Sequence, residues 1–526
     1  MKVMISYPPL KGTRCPLLSQ NRQFQWFHNP TYIYPVVPAY AATLLKKNGF
    51  EVIWNDCIAE NWSYEKFLDF VQKEKPNLIA IETKTPVIKQ HWKIINDLKK
   101  LSTINYRLST VLFGDHVTAL PEESFQNSQV DFVLTGGDYD FLLLNLCNAL
   151  SGSLPTTYYL LPTLLEPGIY YRDNGQINPS TALRIDGERS RTIKNTGHFK
   201  LNHDLDSLPF IDRELTRWQL YAYKNGNYKL TPGTYIMAGR DCWWRRNGGC
   251  TFCSWTALYP SWRVRSVENV LDEIGELIER YRIREIMDDT GTFPAGEWLR
   301  EFCQGMIKRG YNKRVNFDCN LRFGALTNED YQLMAKAGFR FLLYGLESAS
   351  QETISRLNKN IKVATVEEEL REVKRANREG KGRLEPHVTC MVGYPWETKD
   401  EAEKTIQMTK DLFAKGLIDT LQATIMIPYP GTALFEECRK NEWLKSEDWN
   451  RFDMSQPVIK TPMGDMRVMR LTQSIYKSFI SPRFLFGKII SIRNIDDLKF
   501  FWRAGKAVLG HLRDFIGEKR LKKENP

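Results

Sequence analysis

The sequence predicts an α/β protein in which a doubly wound parallel sheet is followed by a partial (β/α)6 barrel and a small helical C-terminal region. Three observations carry that prediction. Apolar, strand-length runs alternate with amphipathic helical stretches over residues 1–150, the pattern of a parallel sheet with helices on both faces. A second alternation runs over 231–440 and contains six strand–helix units, short of the roughly eight of a closed barrel. Beyond 441 the chain turns aromatic and basic, and only helical spacing remains.

In the first alternation, strands are expected at 3–7, 51–54, 78–82, 110–113 and 130–134. Helices are expected between them, near 37–48, 64–73, 88–101, 121–126 and 139–150. The strand ends carry Pro8-Pro9, Thr83-Lys-Thr-Pro86, Gly114-Asp-His116 and Gly136-Gly-Asp138. In a doubly wound sheet such loops gather on one edge and line a crevice. Each loop alone reads as a simple turn; four on one edge read as a pocket. Residues 1–150 are therefore expected to form a Rossmann-like domain.

Residues 151–230 are less regular, and a linker that packs across two domains is expected there. Within it, Gly168–Arg172, the turn Asp173-Asn-Gly175 and Gln176-Ile177 read as a hairpin. His198 and His203 are expected to be packing or surface residues.

The barrel strands are expected to centre near Tyr235, Ile286, Phe317, Leu342, Val388 and Ala423. Ser266 is placed to cap the first connecting helix, whose apolar face is Val267, Val270, Leu271, Ile274, Leu277, Ile278 and Tyr281. Thr327 with Asp330 opens another helix in the same way. The strand ends carry Asp288-Asp289-Thr290, Asn320-Leu-Arg322, Gly345-Leu-Glu-Ser348, Gly393-Tyr-Pro-Trp-Glu397 and Pro428-Tyr-Pro-Gly-Thr432. Acidic and amide groups there suit an amine, a ribose or a cation. Ser348 and Thr398 also read as helix caps.

The first strand of this half leads into Gly239-Arg-Asp-Cys-Trp-Trp-Arg-Arg-Asn-Gly-Gly-Cys-Thr-Phe-Cys-Ser-Trp255. Thiolates so close in sequence can converge on a soft metal centre. Structural zinc and closed iron–sulfur sites normally use four protein ligands. Three cysteines, Cys242, Cys250 and Cys253, suit a [4Fe-4S] cluster with one iron open to a small molecule. Three buried, inert cysteines are the alternative.

The composition narrows the class. With 42% hydrophobic and 26% charged residues the chain reads as globular, and no apolar run reaches membrane-span length. The N-terminus reads as a strand rather than a secretory leader. Ten cysteines without framework spacing suit a reducing compartment, so a cytoplasmic setting is expected. The net charge of +11 is partly local, with eight Lys or Arg against three Asp or Glu after Leu498. No nucleic-acid module is present, and no nucleic-acid partner is expected. For residues 441–526 three readings stand: a lid over the barrel, a partner surface, or a helix in peripheral contact with anionic lipid. A domain-packing helix is the first expectation.

Cys250-Thr-Phe-Cys253 and the five strand-end motifs of 231–440 together resemble the radical S-adenosylmethionine (SAM) superfamily, within it the enzymes with an N-terminal cobalamin-binding domain. The resemblance covers about residues 1–440. It departs from the usual cluster motif in that seven residues, not three, separate Cys242 from Cys250. Pro8-Pro9 and Gly114-Asp-His-Val-Thr118 with Pro121-Glu-Glu123 carry the N-terminal likeness. The Asp-x-His-x-x-Gly signature that supplies a cobalt ligand elsewhere is absent, and Gly136-Gly-Asp-Tyr-Asp140 departs from the subgroup's glycine–glutamate pattern.

The resemblance implies a [4Fe-4S] cluster on Cys242, Cys250 and Cys253, with SAM contacted by Glu347, Ser348, Gly345, Asp289, Arg322 and Pro428. Cobalamin candidates are Pro9, Thr83, Thr85, Gly114, His116, Gly136 and Gly137. Cleavage of SAM to a 5′-deoxyadenosyl radical is implied, with cobalamin-dependent methylation of an unactivated carbon as the first expectation. Radical rearrangement or cyclisation without cobalamin is the second, and a metal-stabilised binding protein the third. The substrate is a small molecule, lipid or peptide, and the electron donor one such as flavodoxin or ferredoxin. No catalytic side chain is assigned.

Overall fold

The computed structural model describes residues 1–10, 15–16, 26–27, 32–103, 106–151, 164–173, 192–480, 492 and 494–516. The chain divides into two units. One comprises 1–11, 37–217 and 257–260; the other comprises 12–36, 218–256 and 261–526.

The N-terminal unit is built on seven strands: β1 (Lys2–Tyr7), β2 (Glu51–Asp56), β3 (Leu78–Glu82), β4 (Ser109–Phe113), β5 (Phe132–Leu134), β6 (Ile169–Asp173) and β7 (Thr192–Asn195). Their order is β2-β1-β3-β4-β5-β6-β7, with β1 to β5 parallel. Strand order reverses beside β1 and β3, which places the ligand crevice of such a sheet at their carboxyl ends. The helices α1 (Val36–Lys47), α2 (Tyr64–Glu74), α3 (Ile88–Lys100) and α4 (Tyr139–Ser151) fall where the apolar periodicity expects them.

The stretch read as a linker contributes more than a connection. β6 runs antiparallel to β5 and to β7, so both of its edges are taken by 132–134 and 192–195. The expected Asn-Gly turn and the returning residues Gln176-Ile177 lie outside the described residues. His203 closes this region onto the sheet's loops, bridging Asp138 at 3.1 Å and Glu166 at 2.9 Å and stacking on Phe141.

The second unit holds six parallel strands in sequence order: β8 (Gly233–Ile236), β9 (Glu285–Asp288), β10 (Asn316–Leu321), β11 (Phe339–Glu347), β12 (Glu385–Val392) and β13 (Thr420–Ile425). Between them run α5 (Val267–Tyr281), α6 (Glu297–Lys308), α7 (Asn328–Ala337), α8 (Val366–Gly380) and α9 (Lys399–Ala414). The caps are local chemistry. Ser266 accepts from the Asn269 amide, and Thr327 with Asp330 and Thr398 with Glu401 close reciprocal capping boxes. α5 buries Val270, Leu271, Ile274, Leu277, Ile278 and Tyr281, the stripe its spacing predicts.

Phe293, Phe302, Phe317 and Phe339 fill the interior with ring centroids 5.0–6.0 Å apart. Each such buried ring contributes about 1.5–3 kcal/mol of burial. At the amino ends of the strands, Arg340 is buried among three carboxylates. It donates to Glu285 at 2.6 Å, Asp318 at 3.1 Å and Glu385 at 2.8 Å. This charged cluster forms the floor at the amino ends, opposite the carboxyl ends that carry the strand-end loops.

Candidate active site

The cysteine loop leaves β8 at the carboxyl end of the sheet, the edge on which α/β folds carry their chemistry. Cys242 forms an isolated bridge with Thr292, beyond β9, and its thiol donates to the Thr292 hydroxyl at 3.0 Å. Residues Trp243–Asn247 then form a short 3-10 turn that ends at Gly248 in the left-handed region, at φ 86°. This turn absorbs the added residues between Cys242 and Cys250, so the long spacing becomes compact local structure rather than slack loop. Asn358 holds it from outside, donating to the carbonyls of Asn247 and Gly249, both at 2.8 Å. The Trp244 indole in turn donates to the Asn358 carbonyl at 2.6 Å. Thr251 is tied by its amide to Leu357 and by its carbonyl to the Leu434 amide.

Cys242, Cys250 and Cys253 are each partly exposed. Among the described residues, no three His, Cys, Asp or Glu side chains meet at a single-ion site. A four-iron cluster takes one thiolate per iron and needs a wider spacing than one ion does. Burial raises the Cys250 thiol, while the cations Lys359 and Arg322 favour its thiolate. Arg322, following β10, donates toward the Cys250 sulfur at 3.8 Å. Its guanidinium lies over the rings of Trp243 and Trp244, 5.6 and 4.4 Å from the centroids. The residues present therefore fit a thiolate-held cluster, with compensating positive charge built beside it.

β11 delivers the next group. Its ladder with β12 shifts register between Gly345 and Glu347, and Glu347 takes a left-handed φ of 64°. The bulge re-aims the Glu347 carboxylate, which accepts from Lys359 at 2.6 Å. Glycine at position 345 leaves this pair its place, since a Cβ there would stand 2.2 Å from the Glu347 carboxylate and 2.7 Å from the Lys359 amine.

The other predicted residues differ in their surroundings. Asp289 is buried after β9, and its amide donates to Ile236. The neighbouring Asp288 carboxyl is pushed up to about 6 by burial, against the opposing amides of Ala238 and Thr290. Ser348 is wholly buried, and its hydroxyl accepts from the Ser350 amide and meets Thr405 of α9. That is a packing arrangement in which Ser350, not Ser348, caps the following helix. Pro428 is buried just beyond β13.

Four contributors escaped the sequence reading. Lys359 lies in a loop with no motif around it. Trp243 and Trp244 were visible but read only as loop length. Tyr394, inside the noted Gly393–Glu397 motif, is wholly buried, and its hydroxyl has no hydrogen-bond partner among the described residues. Burial comes first in pushing its phenol up, followed by the charges of Glu347, Glu397, Cys390 and Cys250. An orphaned hydroxyl beside Cys250 and Glu347 is what a site shaped for a polar ligand leaves behind.

In the N-terminal unit, the candidate residues do gather at the strand ends, but many already serve the protein. His116 is buried, with Nδ1 at 3.2 Å from the Thr85 hydroxyl and Nε2 at 3.0 Å from Glu123. Both ring nitrogens are engaged, so His116 stands as a packing residue. Thr83 meets His91 at 2.8 Å. Gly114, at φ 123°, admits the Thr83 carbonyl, while Gly136 and Gly137 make room for the rings of Phe199 and Tyr259. Pro9 is half-buried after β1. At the strand-order reversal, Tyr7 donates to Glu82 at 2.6 Å and Lys84 pairs with the same carboxylate at 3.1 Å. The strand-order reversal marks a ligand crevice at this edge; His116, with both ring nitrogens engaged, is not placed to ligate a metal there.

Residues 239–409 match the model of the Radical SAM superfamily. An uncharacterized methyltransferase of Pyrococcus horikoshii is 25% identical over 460 residues, covering 86% of this chain and 90% of that protein. An anaerobic magnesium-protoporphyrin IX monomethyl ester cyclase of Cereibacter sphaeroides is 25% identical over 432 residues, covering 81% of this chain and 63% of the cyclase. Among solved structures, the radical S-adenosylmethionine methyltransferase TsrM from Kitasatospora setae, with cobalamin and a [4Fe-4S] cluster bound, has the same fold. Its TM-score is 0.61 at 13% identity, covering 98% of this chain and 99% of that one. The thiolate loop and the bulged Glu347 both lie inside the matched region, so residues 239–409 carry the features of a radical SAM domain.

Proposed function

We propose that this enzyme is a cobalamin-dependent radical methyltransferase acting on an unactivated carbon. The observation that carries the reading is the loop of Cys242, Cys250 and Cys253 at the mouth of a radical SAM domain, with Arg322 and Lys359 set against Cys250. When bound, the cluster would supply the electron for SAM cleavage and cobalamin a transferable methyl group. The chain's own residues do the rest.

Cys242, Cys250 and Cys253 would hold the cluster by one thiolate each. Glu347 is fixed by Lys359 where it can accept from the amino or ribose end of SAM. Gly345 would leave room for that approach, with Asp289, Arg322 and Pro428 bordering the same strand ends and Ser348 packed behind them. The strand-end loops at Pro9, Thr83, Thr85, Gly114, His116, Gly136 and Gly137 would bound the cobalamin, without a histidine on cobalt. Support for cobalamin is the sheet order, the fold shared with the cobalamin-bound TsrM, and the methyltransferase relative.

The substrate class fitting an open barrel is a small molecule, lipid or peptide, with reduction by a donor such as flavodoxin or ferredoxin. A cytoplasmic setting suits the buried single thiols Cys57, Cys147, Cys303, Cys319, Cys390 and Cys438. The cyclase relative favours a second reading, in which the same radical chemistry drives a cyclisation or rearrangement without cobalamin.

Metal content after anaerobic purification from cells supplied with cobalamin tests the proposal. About four irons and about one cobalt per chain are expected. Iron without cobalt moves the assignment to the second reading. Zinc in place of both overturns the radical mechanism. Ala at both Cys250 and Cys253 removes the iron and abolishes SAM cleavage; cleavage that survives unchanged refutes the cluster assignment.

A further inference from the structure

The C-terminal helix α10 (Ile495–Ile516) has two faces with opposite fates. One face is clasped to the floor of the barrel, the amino ends of its strands. Asp496 makes a two-point pair with Arg284, at 2.7 and 3.2 Å, immediately before β9. Asp497 pairs with Lys229 at 3.4 Å and Arg383 at 3.6 Å. Arg503 donates to the carbonyls of Tyr228 and Lys229. The opposite face is apolar and open. Ile495 is 61% exposed, Leu498 52%, Trp502 69% and Leu509 58%. At helical pitch these four fall within an arc of about 60° and form a ridge about 21 Å long.

The ridge is rimmed by positive charge. Lys499 and Lys506 are exposed on its flank, and the Lys506 amine sits 5.0 Å from the Trp502 ring centroid. No Asp or Glu occurs between Leu498 and Arg513, and the only acids of the first turn are turned inward in ion pairs. Lys519, Arg520, Lys522 and Lys523 follow in the sequence.

We propose that this outer face of α10 is an anchor for an anionic lipid surface, binding through the Ile495, Leu498, Trp502 and Leu509 ridge and the lysines beside it. The chemistry selects this occupant. A contiguous exposed apolar strip marks an interaction site. An exposed tryptophan at its centre with a lysine alongside is the pattern of a helix lying at a membrane interface, apolar side chains down and amines at headgroup level. A second copy of the chain would set Lys499 and Lys506 against their own counterparts, a like-charge arrangement that disfavours association. No described helix is long and apolar enough to cross a membrane, so the contact is peripheral.

The position has a consequence for the reaction. The anchor lies at the amino ends of the barrel strands, whereas Cys250 and Glu347 lie at the carboxyl ends. The helix therefore tethers the barrel by its floor and leaves the mouth free. It localises the enzyme at a surface; it does not form the substrate's entrance.

Flotation of the full-length protein tests this, using vesicles of phosphatidylcholine alone and vesicles in which a third of the lipid is phosphatidylglycerol. The protein is expected to float with the anionic vesicles, to stay in solution with the neutral ones, and to release as salt is raised. Leu498→Glu with Trp502→Glu is expected to lower the bound fraction about tenfold or more. The melting temperature should stay unchanged, because both side chains are exposed. Should that pair unfold the chain, Trp502→Ser alone is to reduce binding severalfold. Wild-type protein that floats with neither vesicle overturns the proposal, as does a double variant that floats like wild type. A wild-type dimer that the double variant converts to monomer, without flotation, assigns the ridge to self-association and overturns it as well.

Discussion

Arg322 donates from Nη1 toward the Cys250 sulfur across 3.8 Å while its guanidinium rests 4.4 Å from the centroid of the Trp244 ring. The turn that lengthens the cysteine loop thus supplies the shelf on which that cation lies. A hydrogen bond and a positive charge at a cluster thiolate both favour the reduced cluster. Arg322→Gln removes the charge. The reconstituted cluster should then show a more negative midpoint potential in an EPR-monitored titration, and SAM cleavage should fall about tenfold to a hundredfold. An unchanged potential would separate Arg322 from the cluster.

Gly345 touches the site through what it lacks. Gly345→Ala puts a methyl group 2.2 Å from the Glu347 carboxylate and 2.7 Å from the Lys359 amine, both ends of flexible side chains. Those ends will move, so the fold survives and the pair does not keep its place. Calorimetry should show SAM affinity weakened by about tenfold, or roughly 1.4 kcal/mol, with little change in melting temperature. Wild-type affinity in this variant would remove Glu347 from SAM recognition.

Arg340→Met probes the barrel floor. It strips Glu285 and Asp318 of a cation that both now share in a buried setting. Breaking such a network by removing one partner costs about 3–5 kcal/mol. Denaturant titration should register that loss at neutral pH. Part of it should return on acidification, because burial already pushes the Asp318 carboxyl well up and a protonated acid needs no partner. Neutral-pH stability within about 0.5 kcal/mol of wild type would show the network to be dispensable.

His203 gives the N-terminal unit a pH-dependent clasp. Burial pulls its imidazole down, but hydrogen bonds to Asp138 and Glu166 outweigh this and raise it to about 9 from an ordinary 6.5. A base with a raised folded-state pKa stabilises fully below its unfolded value and loses that contribution as pH climbs through the folded one. Hydrogen exchange of residues 198–207 should therefore stay slow up to about pH 6.5 and show falling protection as pH approaches 9, after correction for the intrinsic rate. His203→Gln should remove the pH dependence. A wild-type profile flat to pH 10 would contradict the clasp.

Much of the architecture was legible because its signals are local. Buried parallel strands are continuous apolar runs, so 78–82 and the barrel strands around Ile286 and Val388 fell where expected. Ser266, Thr327 and Thr398 cap helices through bonds to amides three residues on, which any reader of the chain can count. β6 was legible as one strand of a hairpin at Gly168–Arg172, but β7 and the pairing of β6 to β5 were not, because they join segments that have no common periodicity.

The sequence by itself determined the two parallel sheets, the thiolate loop and the order of the strand-end motifs, because each follows from short-range periodicity, spacing and caps. Only the tertiary structure decided which groups act together. Arg322 meets Cys250 across 72 residues, Lys359 reaches back to Glu347 through a register shift, and His116 turns its nitrogens to Thr85 and Glu123 instead of a ligand. The same holds for α10, whose spacing shows an amphipathic helix but not which face is covered. Charge pairing to Arg284, Lys229 and Arg383 settles that, because ion pairs depend on where strands from distant parts of the chain begin.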